Sequence, residues 1–234
     1  MVEIIPAIIP KSFSELEDKL SLVQGIVPIV QIDILDGKLT SEKSWPNIAP
    51  NDPDFLRIIH EEEGFPYWED FDFEFDLMVA DPTDEVQKWI SAGAKRIVAH
   101  YESFKDKDKL QNFIESFNQN YRSDGSIIST ELGIGINMET PDEVIDPIVS
   151  KINFVQFMGI DTIGRQGEPF DAGVLEKIKD LRSRFPNLIV SIDGGVNMES
   201  APKLVAAGVN RLVMGSAIFG SDDIAGTIEE LRNL

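Results

Sequence analysis

Short runs rich in β-branched and aromatic residues alternate with longer amphipathic segments along the whole chain. Ile4 to Ile9 precedes Ser12 to Gln24, Ile29 to Ile34 follows, Phe71 to Met78 precedes Asp84 to Ala92, and Arg96 to His100 comes next. The second half continues with Leu132 to Ile136, Pro141 to Val149, Phe154 to Met158, Gly173 to Arg184, Leu188 to Ile192, Ala201 to Ala207, Arg211 to Met214 and Asp223 to Leu231. The first kind of run suits strands and the second suits helices, so the order reads βαβα from end to end, with about eight strands.

Local signals agree with that pattern. Ser12 precedes Glu15 at capping-box spacing, Thr140-Pro141-Asp142-Glu143 reads as a cap with proline in the first turn, and Pro186 ends the helix that reaches Arg184. An internal echo links Ala92-Gly93-Ala94-Lys95-Arg96-Ile97-Val98 to Ala207-Gly208-Val209-Asn210-Arg211-Leu212-Val213. In both, glycine supplies the left-handed cap between a helix and the next strand. Repeated units of this kind build either a (β/α)8 TIM barrel or an open doubly wound sheet. The absence of a Gly-x-Gly-x-x-Gly turn after the first strand favours the barrel.

Three stretches break the rhythm. Asp36 to Asp52, containing Trp45-Pro46-Asn47, and the acidic, aromatic Glu61 to Asp70 read as surface insertions over a barrel face. Lys105 to Ser126 reads as a polar helix followed by a long loop from Asn118 to Ser126. None resembles a domain linker, so the 234 residues are expected to form one domain.

Charge narrows the range of partners. Acidic residues number 41 against 21 basic ones, a formal net charge of -20 that repels nucleic acid and anionic membranes. The chain has no cysteine, which excludes disulfides, thiolate metal sites and cysteine nucleophiles. The start lacks a basic leader region, and no apolar run approaches the roughly 18 residues of a membrane span, so the chain reads as cytoplasmic. Nothing in the pattern excludes a homo-oligomer.

Near the C-terminus two glycine turns follow predicted strands: Asp193-Gly194-Gly195 and Gly215-Ser216. Barrels commonly hold phosphate with the loops after the seventh and eighth strands, through backbone N–H groups and a short helix. Glycine lets the backbone approach an anion and adopt positive φ. The pair predicts a phosphorylated small-molecule ligand; a pair of merely tight turns is the plainer alternative.

Those turns, together with Gln31-Ile32-Asp33-Ile34-Leu35-Asp36-Gly37, Asp76-Leu77-Met78-Val79 and Phe157-Met158-Gly159, resemble the ribulose-phosphate 3-epimerase family. The likeness runs in order from Pro6-Ala7-Ile8-Ile9 to Gly220. It implies a (β/α)8 barrel acting on a phosphorylated sugar, in which two histidines and two aspartates bind a divalent metal and the aspartates serve as acid and base. Asp33 and Asp193 match those aspartates, and Met78 and Met158 match residues lining the pocket. The histidines are replaced by Gln31 and Asp76, the first-strand serine by Ala7, and the glycine-rich sixth loop by Asp161-Thr162-Ile163-Gly164-Arg165-Gln166-Gly167.

Epimerisation next to a ketone removes a proton from one face and returns one to the other, which suits two carboxyl groups, one ionised and one protonated. Strand alternation puts Gln31 and Asp33 on one face of their strand and Glu74, Asp76 and Met78 on one face of theirs. With those faces inward, Gln31, Asp33, Asp76 and Asp193 form an all-oxygen set suited to Mg²⁺ or Mn²⁺ rather than Zn²⁺. The alternative is that Asp76 and Gln31 hydrogen-bond each other or water and no metal binds. His100 ends the fourth strand and Arg165 lies in the sixth loop, each either at the site or merely near it, whereas His60 reads as a surface residue. Three functions compete: an epimerase of a ketose phosphate, a lyase or decarboxylase on the same barrel, and a phosphate-ligand binding protein without catalysis.

Overall fold

The computed structural model of the protein describes residues 2–121 and 129–234. Eight strands close into a barrel in sequence order: β1 (Glu3–Ile8), β2 (Ile29–Leu35), β3 (Asp72–Met78), β4 (Ala94–His100), β5 (Glu131–Ile136), β6 (Phe154–Met158), β7 (Ile189–Asp193) and β8 (Arg211–Met214). Every neighbouring pair is parallel, and β1 closes the ring on β8 through the register Glu3 to Arg211. This is the expected (β/α)8 barrel rather than an open sheet.

The connecting helices are α1 (Phe13–Val23), α2 (Pro53–Ile59), α3 (Val86–Ser91), α4 (Lys107–Tyr121), α5 (Val174–Arg184), α6 (Ala201–Ala207), α7 (Ser216–Phe219) and α8 (Ile224–Arg232). Ser12 caps α1 by accepting the Glu15 N–H, as its spacing predicts. Gly93 and Gly208 both adopt positive φ, at +95° and +104°, bearing out the repeated cap.

Between β5 and β6 the expected helix from Pro141 to Val149 is absent. Two 3₁₀ turns, Asp142–Ile145 and Val149–Lys151, stand in its place, and Thr140 caps neither of them. Its hydroxyl instead donates to Glu102, and its carbonyl accepts from Lys177. Competition for the cap by tertiary partners thus overrides the local signal. Of the loop expected from Asn118 to Ser126, Asn118 to Tyr121 belong to α4 and the rest lies outside the described residues.

The two apparent insertions are also more than surface loops. Trp45 and Phe65 are buried, Trp45 packing against Phe13 and Phe55 while Phe65 meets the outward faces of Phe73 and Phe75 on β3. Aromatic side chains in polar surroundings carry enough apolar area to fold such segments back onto the barrel wall. Glu61, Glu62 and Glu63 remain exposed, as does His60.

Outward strand positions pack with the helices into one apolar shell that includes Ile32, Phe75, Ile97, Ile134, Val155 and Leu212. The inward positions are different. At the N-terminal floor Arg96 and Arg211 bind Glu3 at 3.0 Å each and Glu131 at 3.3 and 3.1 Å, and Arg211 stacks on Phe154 at 4.7 Å. Glu74 lies buried above them, 3.7 Å from Arg96 and without a hydrogen-bond partner. A barrel interior is ordinarily filled by branched apolar residues. Here a small apolar cluster of Ile5, Ala7, Ile29 and Val213 shares it with the charged floor, and the C-terminal mouth carries further charge.

The aromatic clamp on β3 gives a direct stability test. Phe65→Ala should cost about 3–5 kcal/mol in chemical denaturation because it opens a cavity under Phe73 and Phe75. Trp68→Ala, at a site 63% exposed, should change stability by less than about 0.5 kcal/mol.

Candidate active site

Asp33 and Asp76 stand side by side in the β2–β3 register, and Asp193 ends β7 beside Met158 of β6. All three carboxyl groups are buried and each offers an oxygen within 4.8 Å of the others. Gln31 ties two of them together: its Nε2 donates to Asp33 Oδ1 at 2.7 Å and to Asp193 Oδ2 at 2.8 Å. Asp76 is held separately, by His100 Nε2 at 2.9 Å and by Gln156 Nε2 at 3.0 Å. Ser191 donates in turn to Gln156 Oε1 at 3.3 Å. Gln31 and Asp76 therefore do not bond each other.

Removal from water disfavours the ionised forms. Burial, then the neighbouring Asp193 and Asp76 carboxylates, push Asp33 well above the usual carboxylate range. Burial and then Asp76 push Asp193 up to about 7, against the pull of Gln31 and the Gly194 N–H. Burial would lower the His100 imidazole, but Asp76, Glu102 and Asp193 together raise it. Two adjacent carboxyl groups pushed upward by shared burial and mutual repulsion are poised to share a proton.

The same arrangement fits a divalent cation. Three buried carboxylates converge with little nearby positive charge, and Gln31 Oε1 is buried without a hydrogen-bond partner. As placed, the Gln31 nitrogen faces Asp33 and Asp193; turning the amide over would present its oxygen there instead. An oxygen-only set of this kind suits hard cations such as Mg²⁺ or Mn²⁺.

A cleft at the C-terminal mouth gathers the remaining sequence candidates. Its walls include Asp33, Met78, Met158, Asp193, Gly194, Gly195, Gly215 and Ser216. Gly195, at φ +67°, has no room for a side chain, because a Cβ would stand 2.6 Å from Phe170 Cα. The loop after β6 closes over the cleft: Gln166 Nε2 donates to Ala7 O at 3.0 Å and lies against Gly215. Arg165 lines the rim, half exposed, and pairs with Glu42 at 3.1 Å across the mouth.

Sequence reasoning missed Gln156, Ser191, Glu102 and Gln166. The first two share the inward parity of Met158 and Asp193, so the alternation that selected Asp33 would have found them. Glu102 lies in a 3₁₀ turn and Gln166 in an irregular loop, where strand parity gives no guidance.

The geometry so far defines a (β/α)8 barrel whose C-terminal mouth joins a carboxylate cluster to glycine-rich turns. The chain belongs to the ribulose-phosphate 3 epimerase family, whose profile matches residues 3–219. It is 26% identical over 238 residues to the ribulose-phosphate 3-epimerase of Bacillus subtilis, covering 99% of each chain. Against the chloroplastic ribulose-5-phosphate-3-epimerase of Arabidopsis thaliana it is 28% identical over 97% of this chain and 75% of the other. The structure of 3-hexulose-6-phosphate synthase from Salmonella typhimurium superposes with a TM-score of 0.65, covering 99% of this chain and 97% of the other at 14% identity, a likeness of fold alone.

The raised Asp193 sets the sign of a pH effect. A proton held by the folded protein but released by the unfolded chain stabilises fully below the ordinary value of 3.8 and is lost as pH rises through about 7. In metal-free protein, wild type should therefore lose thermal stability relative to Asp193→Asn as pH climbs through that window. Saturating Mg²⁺ should narrow the gap; a gap independent of pH would contradict the assignment.

Proposed function

We propose that the protein epimerises a pentulose 5-phosphate at the carbon next to its ketone, with Asp33 and Asp193 as the acid–base pair. The observation that carries this reading is the pair itself: two buried carboxyl groups from β2 and β7, bridged by one amide and both pushed upward. One of them, ionised, takes the proton from the carbon. The other, protonated, returns a proton from the opposite side, and the roles are exchanged for the next turnover. In the absence of a cation Gln31 keeps the two carboxyl groups in register through its shared N–H donors.

Asp33, Asp76 and Asp193, with Gln31 Oε1 after an amide turn, are the residues that would hold a divalent cation. Bound there, Mg²⁺ or Mn²⁺ would supply electrophilic stabilisation for the negative charge that develops on the ketone oxygen. Gly194, Gly195, Gly215 and Ser216 offer backbone and hydroxyl donors for the phosphate, while Met78 and Met158 line the sugar's path. The loop carrying Arg165 and Gln166 excludes water from the enediolate once the ligand is seated. Among the described residues lining the cleft there is no lysine to serve an amine-dependent cleavage or decarboxylation.

Incubation with ribulose 5-phosphate in deuterium oxide with Mg²⁺ or Mn²⁺ checks the reading. Deuterium should enter at the carbon beside the ketone, and Asp33→Asn and Asp193→Asn should each slow exchange by about 10²–10⁴-fold. Tight binding of the sugar phosphate with no exchange would instead identify a binding protein.

A further inference from the structure

Asp76 occupies a histidine position of the family motif, and a histidine, His100, stands immediately behind it. The environment of this pair is unusually complete. Asp76, His100 and Gln156 are fully buried, and each Asp76 oxygen already accepts one hydrogen bond, from His100 on one side and Gln156 on the other. A carboxylate has about four lone-pair sites. Two such bonds fix its plane and still leave lone pairs on both oxygens.

The far edge of the imidazole faces a second carboxylate. His100 Nδ1 faces Glu102 Oε2 at 3.8 Å, and both atoms are buried without a hydrogen-bond partner. Glu102 is anchored from the other side, its Oε1 accepting from Asn137 N at 2.9 Å and from the Thr140 hydroxyl. Lys177 holds that turn in place by donating to the carbonyls of Asn137, Met138 and Thr140 at 2.8, 2.9 and 2.6 Å. Against the ring face lies Gly135, where a Cβ would stand 3.0 Å from His100 Cε1. The imidazole thus fills a slot between two carboxylates.

We infer that His100, backed by Glu102, is a positioning residue that holds Asp76 turned toward a divalent cation shared with Asp33 and Asp193. The imidazole absent from the ligand set acts from one layer behind it, through a carboxylate. Such outer partners typically set metal affinity by about 10–100-fold. The inference rests on the cation reading proposed above, and the test separates the two.

Mn²⁺ binding to the full-length protein, measured by titration calorimetry and by the electron paramagnetic resonance of the bound ion, reads out the effect without recourse to turnover. His100→Phe keeps the volume and His100→Ala removes it; whichever variant folds by circular dichroism should bind Mn²⁺ about 10–100-fold more weakly than wild type, with altered resonance line shape. His100→Gln, which returns an N–H donor toward Asp76, should recover most of the lost affinity. Wild-type affinity in the Phe or Ala variant would overturn the inference and leave the cation reading standing. Equal weakening in the Gln variant would also overturn it, by showing that the ring matters for shape rather than for hydrogen bonding. Failure of wild type to bind Mn²⁺ would overturn both.

Discussion

Four buried carboxyl groups, from Asp33, Glu74, Asp76 and Asp193, share the interior of this barrel with the partly exposed Glu3 and Glu131 at its floor, and among the described residues Arg96, Arg211 and His100 meet them. A closed parallel barrel offers little water to disperse that charge, and burying an unpaired carboxylate is costly. The excess must be met by protons, by a cation, or by both. At the floor the two arginines share Glu3 and Glu131, which leaves Glu74 above them, its carboxyl pushed up to about 7 by burial despite the arginines below. At the mouth the rim guanidinium of Arg165 pairs with Glu42, and the carboxyl groups of Asp33 and Asp193 are pushed upward.

This imbalance links stability to chemistry. On the proposed function, a proton shared between Asp33 and Asp193 would lower the cost of burial and make one group a base and the other an acid. A divalent cation would relieve the same cost by another route, and would add the electrophile that enediolate chemistry needs. The apolar shell between strands and helices holds the charged interior in place. Phe65 and Trp45 extend that shell over segments whose composition otherwise suggests exposure.

Most of the fold was legible in the sequence because hydrophobic alternation reports which strand face is inward. That rule placed Asp33, Asp76 and Gln31 together, and the glycine turns placed Asp193 beside the cleft. It failed where tertiary contacts outweigh local preference: Thr140 serves Glu102 and Lys177 rather than a helix, and buried aromatics draw the two long loops inward. The partners of the carboxylates were beyond reach for a related reason. Gln31 bonds Asp33 and Asp193 rather than Asp76, and His100 bonds Asp76, pairings fixed by barrel curvature that no linear spacing contains.

Anomalous diffraction from a crystal grown with Mn²⁺ and a non-reactive pentulose phosphate analogue would locate the cation and the ligand together. One Mn²⁺ peak should lie among the oxygens of Asp33, Asp76 and Asp193, with the ligand's ketone carbon beside Asp33 and Asp193 and its phosphate at Gly194, Gly195, Gly215 and Ser216. A phosphate seated there with no metal peak among the three aspartates would contradict the claim that one buried cluster both holds the cation and moves the proton.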